Sequence, residues 1–314
     1  MRVLFTNRPD SYSPSYLKAY RNGILESNII KGEALLKNCR LCPRKCEVNR
    51  YIEEGKVCAI GKSALVSSNF PHFGEESCLV GSHGSGTIFF TSCNLRCAFC
   101  QNWDISHLKN GREVSSFELA QIMVDLQDRG CHNINFVTPS HVVVPILKAI
   151  NQAAEMGLTI PLVYNTSAYD SVESLNLLNG IIDIYMPDFK FWYRKSTNKF
   201  MNASDYPKVA RRNLKIMHQQ VGDLHVNNHG IAVKGMLVRH LVLPDHLKDT
   251  YQIIQFLANQ VSLETALNIM FQYHPEYKVN RNHYPELNRS LSLEERECAK
   301  RFKKEANLPD YPWL

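Results

Sequence analysis

The chain has 314 residues, 44% of them hydrophobic, with a formal net charge of +6. That supplies a large buried core in one or two domains. The mild positive charge does not by itself mark a nucleic-acid binder, and no apolar run is long enough to span a bilayer.

The start, Met1 to Pro9, lacks the apolar core of a signal peptide. The ten cysteines are spaced like metal ligands rather than a disulfide framework. A reducing, cytoplasmic interior is therefore expected. The pattern next predicts a helix over about Ser13 to Lys37, capped by Ser13, with Pro14 at the first helical position.

Cys39, Cys42, Cys46 and Cys58 follow, with Pro43-Arg44-Lys45 as a turn between them. Cationic neighbours lower a thiol's pKa and favour thiolate ligands. Four sulfurs suit an auxiliary iron–sulfur cluster or a structural zinc, and a metal-free group is the third reading. Cys78, Cys131 and Cys298 have no ligand-like spacing and read as small buried hydrophobes. The glycine-rich stretch Gly81 to Gly86 enters a strand and has no Lys-Ser/Thr pair, so it is not a phosphate loop. A close approach of backbones beside the cysteine loop that follows is expected there.

From Thr87 onward, apolar strand-like runs alternate with helical ones. The strands expected are Thr87–Thr91, Asn133–Val137, Leu162–Asn165, Ile182–Met186, Ile231–Leu243 and Ala266–Tyr273. Helices are expected after Ser115, with Glu118 completing a capping box and Gly130 as the stop, and after Asp170, with Gly180 near its end. Others are expected within Ser204 to Gln220, over Asp245 to Gln260, and from Ser292 with Glu295. Repeated right-handed β–α units imply an α/β chain, an open six-stranded (β/α)6 partial TIM barrel. Residues 1–80 are expected as a helical and Cys-rich module, 81–275 as the barrel and 276–314 as a C-terminal tail with a helix.

Just beyond the first of these strands stand Cys93, Cys97 and Cys100, in the spacing C-x3-C-x2-C. Three thiolates on one loop can hold three irons of a 4Fe–4S cubane and leave the fourth open for chemistry. The spacing, with the aromatic Phe99 before the last cysteine, resembles the signature of the radical S-adenosylmethionine (radical SAM) superfamily. The resemblance implies that S-adenosyl-L-methionine chelates the open iron and is cleaved by one electron to a 5′-deoxyadenosyl radical. A one-electron donor such as flavodoxin or ferredoxin is then an expected partner.

Further segments narrow the resemblance. They are the stretch from Pro71–Glu76 through Cys100–Ser106, and Tyr164–Ser167, Tyr185–Lys190, Val238–Pro244 and Gln272–Pro275. Together they resemble the PflX-like homologues of pyruvate formate-lyase activating enzyme. That resemblance implies cofactor contacts from Asp188, Lys190, Arg239 and His274. Two turns depart from the activating-enzyme pattern. Thr138-Pro139-Ser140-His141 stands where a Gly-Gly-Glu-Pro-like turn would hold the cofactor's amino group, so Ser140 and His141 take the place of a carboxylate. Asn165-Thr166-Ser167 replaces an Asp-Thr-Asn-like turn, which makes Asn165 a further cofactor candidate.

The expected function is a radical SAM oxidoreductase that abstracts a substrate hydrogen. A glycyl-radical protein is one expected partner. An RNA or a small molecule is an alternative substrate, and a non-catalytic iron–sulfur redox protein is a third reading. Arg211-Arg212 permits nucleic acid but forms no basic stripe. No individual catalytic side chain and no substrate follow from the sequence.

Overall fold

A single sheet of nine strands organises this computed structural model, which describes residues 12–314. The reading of Met1 to Pro9 lies outside the described residues. The strands are β1 (Ala64–His72), β2 (Ser85–Phe90), β3 (Arg112–Val114), β4 (Ile134–Val137), β5 (Leu162–Thr166), β6 (Ile184–Pro187), β7 (His225–Val226), β8 (Ala232–Leu241) and β9 (Ala266–Met270). β2, β4, β5, β6, β8 and β9 pair in parallel in that order. These are the six runs marked by apolar content, and they form the expected partial barrel. Three strands were not expected. β1 pairs antiparallel with β2, β3 with β1, and β7 with β8. The 1–80 segment thus contributes a strand to the barrel's own sheet.

Strand alternation sorts the two faces of the barrel wall. Ile88, Phe90, Ile134, Phe136 and Tyr164 pack toward the helices. Val163, Ile184, Met186 and Leu237 point inward, where they meet Cys78 and Leu79. The short helix Ser77–Val80 therefore closes the barrel floor.

The first helical stretch is two helices, Ser15–Arg21 and Ile24–Lys37. Gly23 adopts φ +68°, a left-handed conformation that ends one helix and starts the other. Pro14, with ψ 142°, is itself the cap residue, so Ser13 caps nothing. Both expected capping boxes are present, Ser115 with Glu118 and Ser292 with Glu295. Pro207 sits in the first turn of Tyr206–Val221. The helix Val143–Glu155 was not marked by sequence; it is almost wholly buried.

Two further expectations need correction. A Cβ on Gly86 would stand 2.7 Å from the Asn133 carbonyl oxygen, so the close backbone approach is real. It lies at the start of β2, however, and the strand's rise of about 3.3 Å per residue separates it from the cysteine loop at the far end. Cys78 and Cys131 are buried, but Cys298 is only half-buried. Its neighbour Ala299 takes the inward position on Leu293–Glu305, which turns Cys298 outward. Among the described residues, no helix is long and apolar enough to cross a membrane.

Candidate metal and cofactor site

The loop after β2 turns sharply, with Ser92 and Arg96 at positive φ (70° and 54°). Backbone bonds from Ala98 to the Phe200 carbonyl and from Lys278 to the Ala98 carbonyl hold it in place. Phe99 is buried, edge-on to Phe191 and Phe200 at 5.6 and 6.3 Å. It anchors the loop end by packing.

Cys93 and Cys97 are buried and Cys100 is half-buried. The Leu95 amide donates to Cys93 Sγ at 3.3 Å, and Ser106 Oγ lies 3.2 Å from Cys100 Sγ. Burial pushes the Cys97 thiol well up, against the opposing charge of Lys190. Burial also raises Cys100, with the Ser106 bond acting against it. Such thiols give up their protons when they bind metal. Among the described residues, no three His, Cys, Asp or Glu side chains converge on a single-ion site. A cubane asks for something wider, because each thiolate binds a different iron. An all-sulfur donor set on one loop fits that group.

Beside the loop, at the C-terminal ends of β6 and β8, lies a charged network. Asp188 Oδ2 accepts from Lys190 Nζ at 2.8 Å, and Asp188 Oδ1 accepts from Arg239 Nε at 2.9 Å. Arg239 Nη1 donates to Glu75 Oε2 at 3.0 Å and Nη2 to Asn165 Oδ1 at 2.8 Å. Burial would raise the Asp188 carboxyl, but Arg239 and Lys190 overcome it and hold the group down at about 2. The same attraction raises Lys190 above its ordinary value despite burial. Asp188, Lys190, Arg239 and Asn165 are thus brought together.

Ser140 and His141 lie on the turn after β4, both buried. Ser140 Oγ is 3.0 Å from Thr166 Oγ1, which donates to Asp170 Oδ2 at 2.7 Å. Asp170 also accepts from Tyr164 at 2.8 Å. The Ser140 hydroxyl is also a hydrogen-bond neighbour of Asp170 and Tyr164, so the four side chains share one network. His141 Nε2 faces the Thr91 carbonyl at 2.9 Å, and Nδ1 has no partner. A carbonyl only accepts, so Nε2 carries the proton and Nδ1 is a bare acceptor. Burial, helped by the Arg50 charge, lowers the His141 ring to about 4 and keeps it neutral. His274 does not join this assembly. Its side chain is 57% exposed and meets only Pro275 and Glu276.

The N-terminal cysteines Cys39, Cys42, Cys46 and Cys58 are all buried. Burial pushes Cys42 up to about 12, with the Arg44 backbone acting against it and Cys58 and Cys39 near enough to add to it. Burial raises Cys58 too, while the Arg50 guanidinium opposes the rise and Cys39 and Cys46 add to it. Cys58 thus lies within electrostatic reach of the other three thiols. Arg50 Nη1 stands 3.7 Å from Cys39 Sγ and 3.2 Å from the His141 carbonyl.

Sequence reasoning gave no role to Glu75, Glu76 or Arg50. The adjacent carboxylates in the Pro71–Glu76 stretch were the available signal for the first two; nothing local marked Arg50.

Residues 87–241 match the family model described as the radical SAM superfamily. The uncharacterized protein MJ0674 of Methanocaldococcus jannaschii is 34% identical over 309 residues, covering 95% of this chain and 84% of that protein. A second protein of that organism, MJ0808, is 24% identical over 265 residues, covering 77% of this chain and 72% of its own. Among solved structures, Streptococcus suis SuiB bound to S-adenosylmethionine aligns with a TM-score of 0.47 and 12% identity, over 68% of this chain. The chain spans 45% of that structure's length.

Proposed function

The chain belongs to the radical SAM superfamily, and on that premise we propose that it cleaves S-adenosylmethionine and uses the resulting radical to take a hydrogen atom from a substrate. The observation that carries this reading is the loop of Cys93 and Cys97, both buried, and half-buried Cys100, at the C-terminal end of a parallel barrel strand. Cys93, Cys97 and Cys100 would hold a 4Fe–4S cluster, which would supply the one electron for reductive cleavage of S-adenosylmethionine to methionine and a radical able to take the substrate hydrogen.

The chain's own residues bind and orient. Lys190 offsets thiolate charge near Cys97 and is the proposed partner of the cofactor carboxylate. Asp188 is the proposed acceptor for a cofactor ammonium or ribose hydroxyl, with Arg239 behind it and Asn165 fixing the guanidinium. Ser140 and His141 offer lone pairs to the same ammonium. Asp188, Lys190, Arg239 and Asn165 already pair with one another, so binding exchanges partners within a preset network. Cys39, Cys42, Cys46 and Cys58 are proposed to hold a second iron–sulfur cluster. The proposed setting is the cytoplasm, with flavodoxin or ferredoxin as donor.

For the substrate, we favour a glycine of a partner glycyl-radical protein. The Asp188-x-Lys190 pair and Arg239, which resemble those of the activating enzymes, support it. The test begins with anaerobic reconstitution. Replacing Cys93, Cys97 and Cys100 by Ala should abolish release of 5′-deoxyadenosine, and undiminished release would end the reading. Mixing reduced enzyme, cofactor and candidate glycyl-radical proteins should give an electron paramagnetic resonance doublet. The doublet should collapse when the glycine α-hydrogens are deuterated. Silence from every candidate, with cofactor cleavage intact, turns the assignment toward another substrate.

A further inference from the structure

The barrel interior carries a surplus of negative charge and buried polar atoms without partners. Glu75 and Glu76 enter it from the segment between β1 and β2, with side chains only 9% and 4% exposed. Glu75 Oε2 accepts from Arg239, and Glu76 Oε1 accepts from Asn268 on β9 at 2.9 Å. Among the described residues, Glu76 Oε2 has no hydrogen-bond donor. Asn135 on β4 is fully buried, and among those residues neither its amide nitrogen nor its oxygen has a partner. Its neighbours Ile134 and Phe136 face the helices, so Asn135 faces the interior. A buried amide left unpaired is costly, and native interiors rarely keep one.

The charges do not balance. Glu75, Glu76 and Asp188 are three acids, and Lys190 and Arg239 are two bases, so three minus two leaves one negative charge. The surplus shows in Glu75. Burial, with the adjacent Glu76, raises its carboxyl to about 7 even against Arg239. A proton on Glu75 is one way to cancel the extra charge. A cation is the other.

The β1–β2 wall of this interior is aromatic. Phe70 on β1 stacks on Phe89 of β2 at 5.6 Å, and His72 meets Phe89 edge-on at 5.9 Å. Ile88 and Phe90 point to the helices, so Phe89 faces the interior. Phe70 is 38% exposed. Aromatic faces attract cations, whereas an anion would meet both the rings' negative faces and the surplus carboxylate.

We propose that this interior recognises a cationic nitrogen on the substrate, an ammonium or guanidinium, with Glu75 and Glu76 as counter-charge. Asn135 Oδ1 supplies a further acceptor, and Phe70 and Phe89 line the β1–β2 wall. The proposal rests on the radical SAM reading above and names a charged group of its substrate, which on a partner protein is a Lys or Arg side chain beside the target glycine. S-adenosylmethionine carries an ammonium and a sulfonium of its own, so the test must separate the two sources.

Reconstituted protein saturated with S-adenosylmethionine is titrated calorimetrically with butylammonium, and with butyrate and butanol as matched probes. Butylammonium should bind saturably, at least tenfold tighter than either control. Glu76→Gln, which keeps the side-chain shape, and Asn135→Ala should each weaken it at least tenfold at unchanged iron content. Equal binding of the three probes, or variants that bind like the wild type, overturns the proposal. Butylammonium binding only when the cofactor is omitted assigns the cation to the cofactor and also overturns it. Failure of S-adenosylmethionine to bind the wild type sinks the functional reading instead. Loss of amine selectivity with cofactor binding intact sinks only this proposal.

Discussion

Arg44 Nε donates to the carbonyl oxygen of Asn94 across 2.8 Å. Arg44 lies between Cys42 and Cys46, and Asn94 between Cys93 and Cys97, so one guanidinium joins the two cysteine groups. The same side chain also donates to the carbonyls of Leu95, Met201 and Asn202. Removing it leaves several carbonyls at the cluster loop without their donor. Arg44→Ala should cost about 2 kcal/mol of stability, the usual scale for bonds to a charged donor. Urea unfolding of the reconstituted protein measures it, and Arg44→Lys should recover part of the loss. A cost under about 0.5 kcal/mol would mean that this link does not anchor the loop.

The N-terminal thiols should bind metal independently of the barrel loop. Protein with Cys93, Cys97 and Cys100 replaced by Ala should keep iron and acid-labile sulfide, in about the amount of one cluster. Zinc in their place would make the site structural. Neither metal, in folded protein prepared without oxygen, would remove the site.

Asp188→Ala and Lys190→Ala should each weaken S-adenosylmethionine binding about tenfold or more while iron content stays constant. Loss of one charge-assisted hydrogen bond is worth about 1.5–3 kcal/mol. Arg239→Ala should act in the same direction and also lower stability, because it unpairs Glu75 and Asp188 together. Unchanged affinity in the first two variants would place the pair outside the cofactor pocket.

Glu75 gives a pH signature. Its folded carboxyl sits near 7, raised first by burial, against about 4.3 in an unfolded chain. Between those values the folded state keeps a proton that the unfolded state has released. Stability from this group therefore falls as pH rises from about 4.5 to 7, by on the order of 3 kcal/mol, and levels off above. Buried neutral histidines such as His141 slope the other way, so the readout is the difference between wild type and Glu75→Gln. The wild type should lose more stability than the variant between pH 5.5 and 7.5, and parallel curves would refute the shift. Asp188 acts elsewhere. Its depressed carboxyl stabilises the fold above about pH 4, and that is lost as pH falls toward 2.

The six parallel strands were legible because strands buried on both faces read as apolar runs. β1 was not. Ser67, Ser68 and Asn69 interrupt it, and Pro71 demotes it, yet it sits between β3 and β2 through backbone pairing. The helix Val143–Glu155 escaped although Lys148, Asn151, Gln152 and Glu155 mark a polar face at helical spacing, because the β-branched run Val142–Val144 and Pro145 obscure its start. At the site, the cysteine spacing was local and therefore readable. The pairing of Arg239 with Glu75 spans 164 positions, and no window of sequence contains both.

The segment between β1 and β2 acts as a ruler. Leu79 is fixed in the floor against Val163 and Ile184, and His72 is fixed in register with Ser85. The residues between them set how far the Glu75 and Glu76 carboxylates stand above the floor. Inserting or deleting one residue there would move the acids by about 3.3 Å, the span of one extended residue. The length of that one turn thus sets the depth of the interior while every barrel strand stays as it is.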